Sequence, residues 1–158
     1  MEVLSETKNK ALVIIDYAHT PAALKSALKS IQEIIGRERI ITLFGCGGDR
    51  DKNKRKIMGE IANEYSDIVI VTDDNPRNEI PSNIRSEILS GCPSATEIPN
   101  RDKAIKYAVS LLKKNDLLLI AGKGHETFQA VGIETLPFDD YTVAKEAIKN
   151  IEKSGIIN

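Results

Sequence analysis

The chain lacks the features that mark membrane, secreted and nucleic-acid-binding proteins. Its apolar runs, such as Leu117–Ala121, are far shorter than the ~20 residues that a membrane-spanning helix needs. Met1-Glu2-Val3 does not open a signal peptide. The net charge of -1 gives no general attraction for nucleic acid or anionic membranes, so any anion site must be local. We expect a cytoplasmic protein with no nucleic-acid or membrane partner.

Cysteine and two common nucleotide motifs are also scarce or missing. Cys46 and Cys92 have no CxxC spacing and no histidine at metal-ligand spacing, which predicts two packed free thiols and no metal site. No GxxxxGK[ST] loop is present, and no GxGxxG opens a helix after the first strand. The sequence therefore predicts neither a nucleoside-triphosphatase loop nor a dinucleotide fingerprint within these 158 residues.

Strand-like runs alternate with helical periodicity along the whole chain, which predicts one α/β domain over residues 1–158 with a mainly parallel sheet covered by helices. Thr20 and Pro21 are typical of the start of a helix, whose apolar positions continue to Ile35. Gly132 separates two short runs that predict an antiparallel hairpin at the sheet edge. The predicted strands span 12–15, 40–44, 67–72 and 117–120, with helices at 21–36, 57–65, 82–89, 101–114 and 142–153.

Unusual polar segments follow the four predicted parallel strands, and both histidines belong to them. They are Asp16–Pro21, Gly45–Asp51, Asp73–Arg77 and Gly122–Glu126. Because the carboxyl ends of parallel strands meet at one edge of a sheet, we expect these segments to lie together, where α/β proteins bind ligands. Pro76 should stiffen its turn and aim the neighbouring side chains.

Each segment has a functional and a structural interpretation. Asp16 and His19 could bind nucleotide hydroxyls or phosphate, or Asp16 could cap the backbone that follows it. Gly45, Gly47 and Gly48 would allow a positive-φ turn whose amides face an anion, beside the forked donor of Arg50. We interpret the basic run at Lys52, Lys54, Arg55 and Lys56 as a solvated helix face, and Asp139 and Asp140 as serving the N-terminus of the last helix.

Guanidinium groups and carboxylates together suit one kind of ligand. Guanidinium groups bind carboxylates, and carboxylates bind an ammonium group. A zwitterionic, amino-acid-like ligand would satisfy both at once. The residues alone do not say which amino acid this is or what happens to it.

The motifs DYAHTP, GCGGDRDxxKR, TDDNPR and AGKGHE occur here in order, at residues 16–21, 45–55, 72–77 and 121–126. In order and spacing they resemble the C-terminal domain of the Mur ligases, most closely of those that add meso-diaminopimelate. The resemblance implies a Rossmann-like domain that closes over a central ATPase domain. It also implies a monomer in which the UDP-binding N-terminal domain and the ATPase domain lie outside these 158 residues, so that the chain alone is inactive.

The resemblance implies an ATP- and Mg²⁺-dependent reaction, with the metal and most of the nucleotide held by the central domain. The D-glutamate carboxylate of UDP-MurNAc-L-Ala-D-Glu becomes an acyl phosphate, and the amine of the incoming diamino acid attacks it. The products are an amide, ADP and phosphate, within peptidoglycan biosynthesis.

The resemblance also assigns roles to individual residues, none of them as a catalytic acid or base. Diaminopimelate contacts are implied for Arg50, Asp74, Asn75, Arg77, Gly122 and Glu126. Nucleotide contacts are implied for Asp16, Tyr17 and His19, with Lys123 and His125 as further candidates. Lysine-adding relatives replace the arginine of DNPR, so Arg77 is expected to bind the extra carboxylate of diaminopimelate. Two alternatives remain: a lysine-adding or other Mur-type ligase domain, and a free-standing amino-acid-binding module.

Overall fold

A six-stranded sheet forms the centre of the computed structural model, which describes residues 1–34 and 36–155. The strand order is β1-β2-β6-β3-β4-β5, and every neighbouring pair is parallel except β1 with β2. The strands are β1 (Glu2–Glu6), β2 (Leu12–Asp16), β3 (Ile40–Phe44), β4 (Ile68–Val71), β5 (Thr96–Glu97) and β6 (Leu117–Ala121). The predicted mainly parallel sheet is confirmed.

In the described part of the chain, five helices cover both faces of this sheet, as the predicted fold class requires. They are α1 (Pro21–Gln32), α2 (Lys54–Tyr65), α3 (Pro81–Leu89), α4 (Arg101–Ser110) and α5 (Asp140–Ser154). Side chains of α1, α2 and α3 pack on one face and those of α4 and α5 on the other. Successive residues of β2 point to opposite faces, so Ile14 joins the first core and Val13 the second.

The last two strands, β7 (Phe128–Val131) and β8 (Glu134–Pro137), form the predicted antiparallel hairpin. The hairpin makes a separate two-stranded sheet, and the antiparallel edge of the main sheet is β1 instead. The apolar pattern did not predict β1, because all five of its residues are exposed or only partly buried. An isolated parallel bridge pairs Arg77, in the loop after β4, with Val131 of the hairpin.

Local signals set several helix ends. Thr20 caps α1 as predicted, since its hydroxyl accepts a hydrogen bond from the Ala23 N–H over 3.2 Å. The helix ends at Gln32, earlier than expected, and Ile35 lies outside the described residues. Asp139 caps α5, because its carboxylate accepts a hydrogen bond from the Tyr141 N–H over 3.0 Å. This helix begins two residues before the predicted start.

Both cysteines are buried free thiols, as expected, and burial raises the pKa of Cys46 to about 12 and that of Cys92 to about 11. Among the described residues, no helix combines the length and hydrophobicity needed to cross a bilayer.

Candidate functional site

The four polar segments meet at one edge of the sheet, as predicted. Their strands are consecutive neighbours in the order β2-β6-β3-β4, and the register pairs Asp16 with Ala121 and Phe44 with Val71. A cavity of about 240 Å³ opens between the segments. It is lined by Tyr17, His19, Gly45, Cys46, Gly47, Arg50, Lys54, Asp74, Asn75, Arg77, Gly122 and Glu126.

The lining includes all six residues expected to contact an amino acid, together with Tyr17 and His19. Three cationic groups, Arg50, Lys54 and Arg77, share the cavity with the carboxylates of Asp74 and Glu126. Sequence reasoning did not place Cys46 and Lys54 in the site. Two features of the sequence could have indicated them. Cys46 lies inside the glycine segment that follows β3, and Lys54 is the first residue of the next helix.

Two loops form one wall of the cavity: the glycine loop (45–50) and the recognition loop (73–79). The Gly48 N–H donates to the Asn75 carbonyl over 2.8 Å, and Arg77 Nη1 donates to the Gly48 carbonyl over 2.9 Å. The Asp49 carboxylate accepts from the N–H and the side-chain amide of Asn78. Residues 48 and 49 of the glycine loop are therefore joined to residues 75–78 of the recognition loop.

The predicted positive-φ turn at the glycines is wrong. None of Gly45, Gly47 and Gly48 has positive φ, and the left-handed residue of the loop is Asp49 at 54°. The glycines are needed instead for close approach, since a Cβ on Gly48 would lie 1.9 Å from the Pro76 carbonyl oxygen. No side chain fits between backbones at that distance.

Arg55 corrects the interpretation of the basic run as a solvated helix face. Its side chain is fully buried, and Nη2 lies 2.6 Å from Glu79 Oε2 and 3.1 Å from the Gly47 carbonyl oxygen. The same Glu79 oxygen accepts from the Asp49 N–H over 2.7 Å. The hydrogen bond from Arg55 is the main cause that lowers the pKa of Glu79 to about 2. Arg55 and Glu79 thus join the glycine loop to the recognition loop from below, while Lys52 and Lys56 are exposed.

The hairpin holds the recognition loop from the other side. The Arg77 N–H donates to the Ala130 carbonyl over 3.0 Å, and the Gly132 N–H donates to the Arg77 carbonyl over 2.6 Å. Arg77 itself has φ 50°, which is unusual for a residue with a side chain and is found most often where surrounding contacts impose it. These contacts fix the backbone from which the Arg77 guanidinium reaches the cavity.

Beneath the recognition loop, a buried ion pair connects the ends of β4 and β6. Arg101 and Asp140 are both fully buried and lie 2.7 Å apart, and Arg101 also donates to the carbonyls of Asp73 and Ala121. Asp140 therefore neutralises Arg101, whereas only Asp139 serves the helix end through its side chain. Gly122, at φ +113°, gives Asp74 room, since a Cβ there would lie 2.7 Å from Asp74 Oδ2.

Three further predicted residues, Asp16, Lys123 and His125, lie around the cavity rather than on its wall. Asp16 accepts from the Ala18 N–H over 2.7 Å and pairs with the Met1 amino group over 2.8 Å. Lys123 is buried behind Asn75. His125 is exposed and lies 2.7 Å from Glu2 Oε2. At the mouth, the rings of Tyr17 and His19 meet edge to face with centroids 4.6 Å apart.

A family model described as "Mur ligase, glutamate ligase domain" matches residues 1–124. The chain belongs to the Mur ligase family. The expected resemblance is thereby confirmed, and the cavity lies at the strand ends that carry its motifs.

Two bacterial relatives show high identity over almost the whole chain. The UDP-N-acetylmuramoyl-L-alanyl-D-glutamate–2,6-diaminopimelate ligase of Agrobacterium fabrum is 53% identical over 99% of this chain and 32% of its own length. The ligase of the same name from Rhizobium meliloti is 51% identical over 94% of the chain and 30% of its own. The chain therefore spans about a third of the length of these relatives.

Solved structures agree with the fold. A UDP-N-acetylmuramoyl-L-alanyl-D-glutamate–2,6-diaminopimelate ligase superposes with a TM-score of 0.88 at 36% identity, covering 96% of this chain and 31% of that protein. A UDP-N-acetylmuramate-alanine ligase from Thermotoga maritima, at 18% identity, a TM-score of 0.63 and coverage of 97% and 30%, supports the fold alone.

Proposed function

We propose that this chain is the C-terminal amino-acid-recognition domain of an ATP-dependent ligase that joins meso-diaminopimelate to UDP-MurNAc-L-Ala-D-Glu in peptidoglycan biosynthesis. The observation that carries the proposal is the composition of one cavity: Arg50 and Arg77 face the same space as Asp74 and Glu126. The names of the relatives with about 50% identity support the same substrate.

The chemistry of diaminopimelate suits this cavity. The molecule carries two carboxylates and two amino groups, one carboxylate more than lysine. Guanidinium groups can bind carboxylates through two parallel hydrogen bonds, and Asp74 and Glu126 can accept hydrogen bonds from an ammonium group. Arg77, whose backbone is fixed by the hairpin and whose guanidinium donates to the Gly48 carbonyl, is the proposed partner of the additional carboxylate.

The contribution to the reaction is positioning. Once one amino group is held beside the activated glutamyl carboxylate, a bimolecular attack becomes a local one, which can remove a large part of the barrier. Arg50, Asp74, Asn75, Arg77, Gly122 and Glu126 would bind and orient the amino acid, and none of them needs to transfer a proton.

Tyr17 and His19 are the proposed contacts to the nucleotide, because both lie at the cavity mouth after β2. Asp16 would act there by fixing the turn, since its carboxylate already binds the Ala18 N–H. Among the described residues, no three His, Cys, Asp or Glu side chains are grouped so as to hold a metal ion.

The remaining parts of the proposal concern the whole enzyme. Most of the ATP site and the UDP-MurNAc-peptide site would belong to other domains, and the enzyme would act as a cytoplasmic monomer. The 158-residue chain would bind diaminopimelate weakly and catalyse nothing by itself.

The test is an ATP-dependent ligation assay with the full-length ligase that carries this domain. Product formation is compared with meso-diaminopimelate and with lysine, two matched substrates that differ by one carboxylate. We expect diaminopimelate to be used and lysine to be used poorly. Equal or better use of lysine would favour the lysine-adding alternative. A reading frame without an ATPase domain, together with tight binding of diaminopimelate by this chain, would favour the free-standing binding module.

A further inference from the structure

Lys123 is the one buried lysine among the described residues, and it touches no solvent. Its Nζ lies 2.8 Å from Asn75 Oδ1 and 5.7 Å from the centre of the Phe128 ring. Burial lowers the pKa of Lys123, while the nearby carboxylates of Asp74 and Glu126 act in the opposite direction. Lysine side chains are almost never fully buried without a specific partner. The partner here is the carboxamide of a residue that lines the cavity.

The contacts of Asn75 fix which way its carboxamide points. Oδ1 accepts from Lys123 Nζ over 2.8 Å and from the Ala130 N–H over 3.0 Å. A backbone N–H can only donate, so the atom that faces Ala130 must be the oxygen. With the oxygen held by two donors at the back, the NH₂ group is the part of Asn75 that is left for a ligand. Asn75 is therefore a hydrogen-bond donor at the cavity wall.

We propose that Lys123 is a positioning residue that sets Asn75 as a donor to a carboxylate of the bound amino acid. This inference rests on the proposed function and adds a residue that never meets the substrate. Lys123 lies on the loop after β6, Ala130 on β7 and Asn75 in the recognition loop, so three segments of the chain converge on one carboxamide oxygen.

A merely structural role for Lys123 predicts a different result from a positioning role. Lys123 donates to a neutral carboxamide rather than to a carboxylate, so an apolar side chain of similar size removes a buried charge without leaving a carboxylate that has lost its partner. The substitution Lys123→Met should therefore leave the folded enzyme at least as resistant to heat. It should nevertheless weaken the hold on the Asn75 carboxamide, because the Ala130 N–H is then the one donor left to its oxygen.

The experiment is a double-mutant cycle in the full-length ligase, with K123M, N75A and the K123M/N75A pair. Steady-state rates are measured at saturating ATP and UDP-MurNAc-L-Ala-D-Glu while meso-diaminopimelate is varied. We expect K123M to raise the KM for diaminopimelate on the order of tenfold, with the KM for ATP unchanged. In the N75A background, K123M should have no further effect, since Lys123 acts through Asn75. K103M, which removes an exposed lysine of α4, is the control.

Two results would overturn the proposal: an unchanged KM in K123M, or effects of K123M and N75A that multiply independently. If K123M does not fold, N75D takes its place. The carboxylate that N75D introduces would still accept a hydrogen bond from Lys123, but it would present an oxygen instead of an NH₂ group to the cavity. An unchanged KM for diaminopimelate in N75D would also overturn the proposal.

A crystal structure of the K123M ligase separates this inference from the proposed function. Held by the Ala130 N–H alone, the carboxamide of Asn75 should shift or lose order in that structure, whichever amino acid the enzyme uses. An Asn75 side chain that keeps both its position and its order would contradict the inference even where diaminopimelate is the substrate. A wild-type enzyme that ignores diaminopimelate would instead refute the proposed function.

Discussion

Arg55 and Glu79 form an ion pair beneath the candidate site, with 2.6 Å between Nη2 and Oε2 and no solvent exposure of the Arg55 side chain. The pair does more than neutralise a buried charge. Arg55 also donates to the Gly47 carbonyl, and Glu79 also accepts from the Asp49 N–H. This contact therefore joins the two loops of the cavity wall, in addition to the direct hydrogen bonds between them.

We predict that R55M lowers the free energy of unfolding of the chain by about 3 kcal/mol, toward the lower end for a broken buried pair. The cost stays at that end because Glu79 and Glu87 retain some access to water. Urea denaturation followed by circular dichroism measures the change. R50M removes an exposed arginine of the glycine loop and should stay within about 0.5 kcal/mol of wild type. Equal losses in the two variants would contradict the structural role of Arg55.

Glu79 should make stability depend on pH in acid. Its pKa in the folded chain is about 2, well below the ordinary 4.5. Because folding lowers this pKa, ionised Glu79 stabilises the fold above pH 4.5, and the contribution is lost as the pH falls toward 2. The difference in unfolding free energy between wild type and E79Q should be largest near neutral pH and shrink across that interval. A difference that stays constant from neutral pH to pH 2 would contradict this assignment.

Two neighbouring glycines should respond differently to alanine. A Cβ on Gly48 would meet the Pro76 backbone at 1.9 Å, whereas one on Gly47 would meet the tip of the Arg77 side chain at 2.8 Å. Backbone cannot move aside cheaply, but a guanidinium can. We therefore expect G48A to lower the melting temperature of the chain in thermal denaturation. G47A should keep the melting temperature of wild type but raise the KM for diaminopimelate in the full-length ligase. A G47A enzyme with wild-type KM would show that the position of Arg77 is unimportant.

The sheet and the location of the site could be predicted from the sequence because both follow from strong local patterns. Continuous apolar runs such as Leu117–Ala121 are typical of strands buried on both faces. Parallel pairing then brings the strand ends together whatever the loops do. Thr20 and Pro21 fixed a helix start through local chemistry alone.

The sequence could not show which charged residues would be buried, because burial depends on partners distant in the chain. Arg55 stands in a run of four basic residues that resembles a solvated helix face, and its partner Glu79 is 24 residues away. Lys123 lies between two glycines, which indicates a turn but says nothing of Asn75, 48 residues earlier. The prediction of a positive-φ turn at the glycines was wrong for a related reason. Glycine is needed there because the Pro76 backbone and the Arg77 side chain approach closely, and not because of the torsion angles of the glycines themselves.

The measurement that tests the central claim most directly is the ratio of kcat/KM for meso-diaminopimelate to that for lysine, in the wild-type full-length ligase and in R77A. If Arg77 binds the additional carboxylate, R77A loses about 2–5 kcal/mol of binding energy toward diaminopimelate and little toward lysine, so the ratio collapses. A ratio that survives the substitution unchanged would contradict the account.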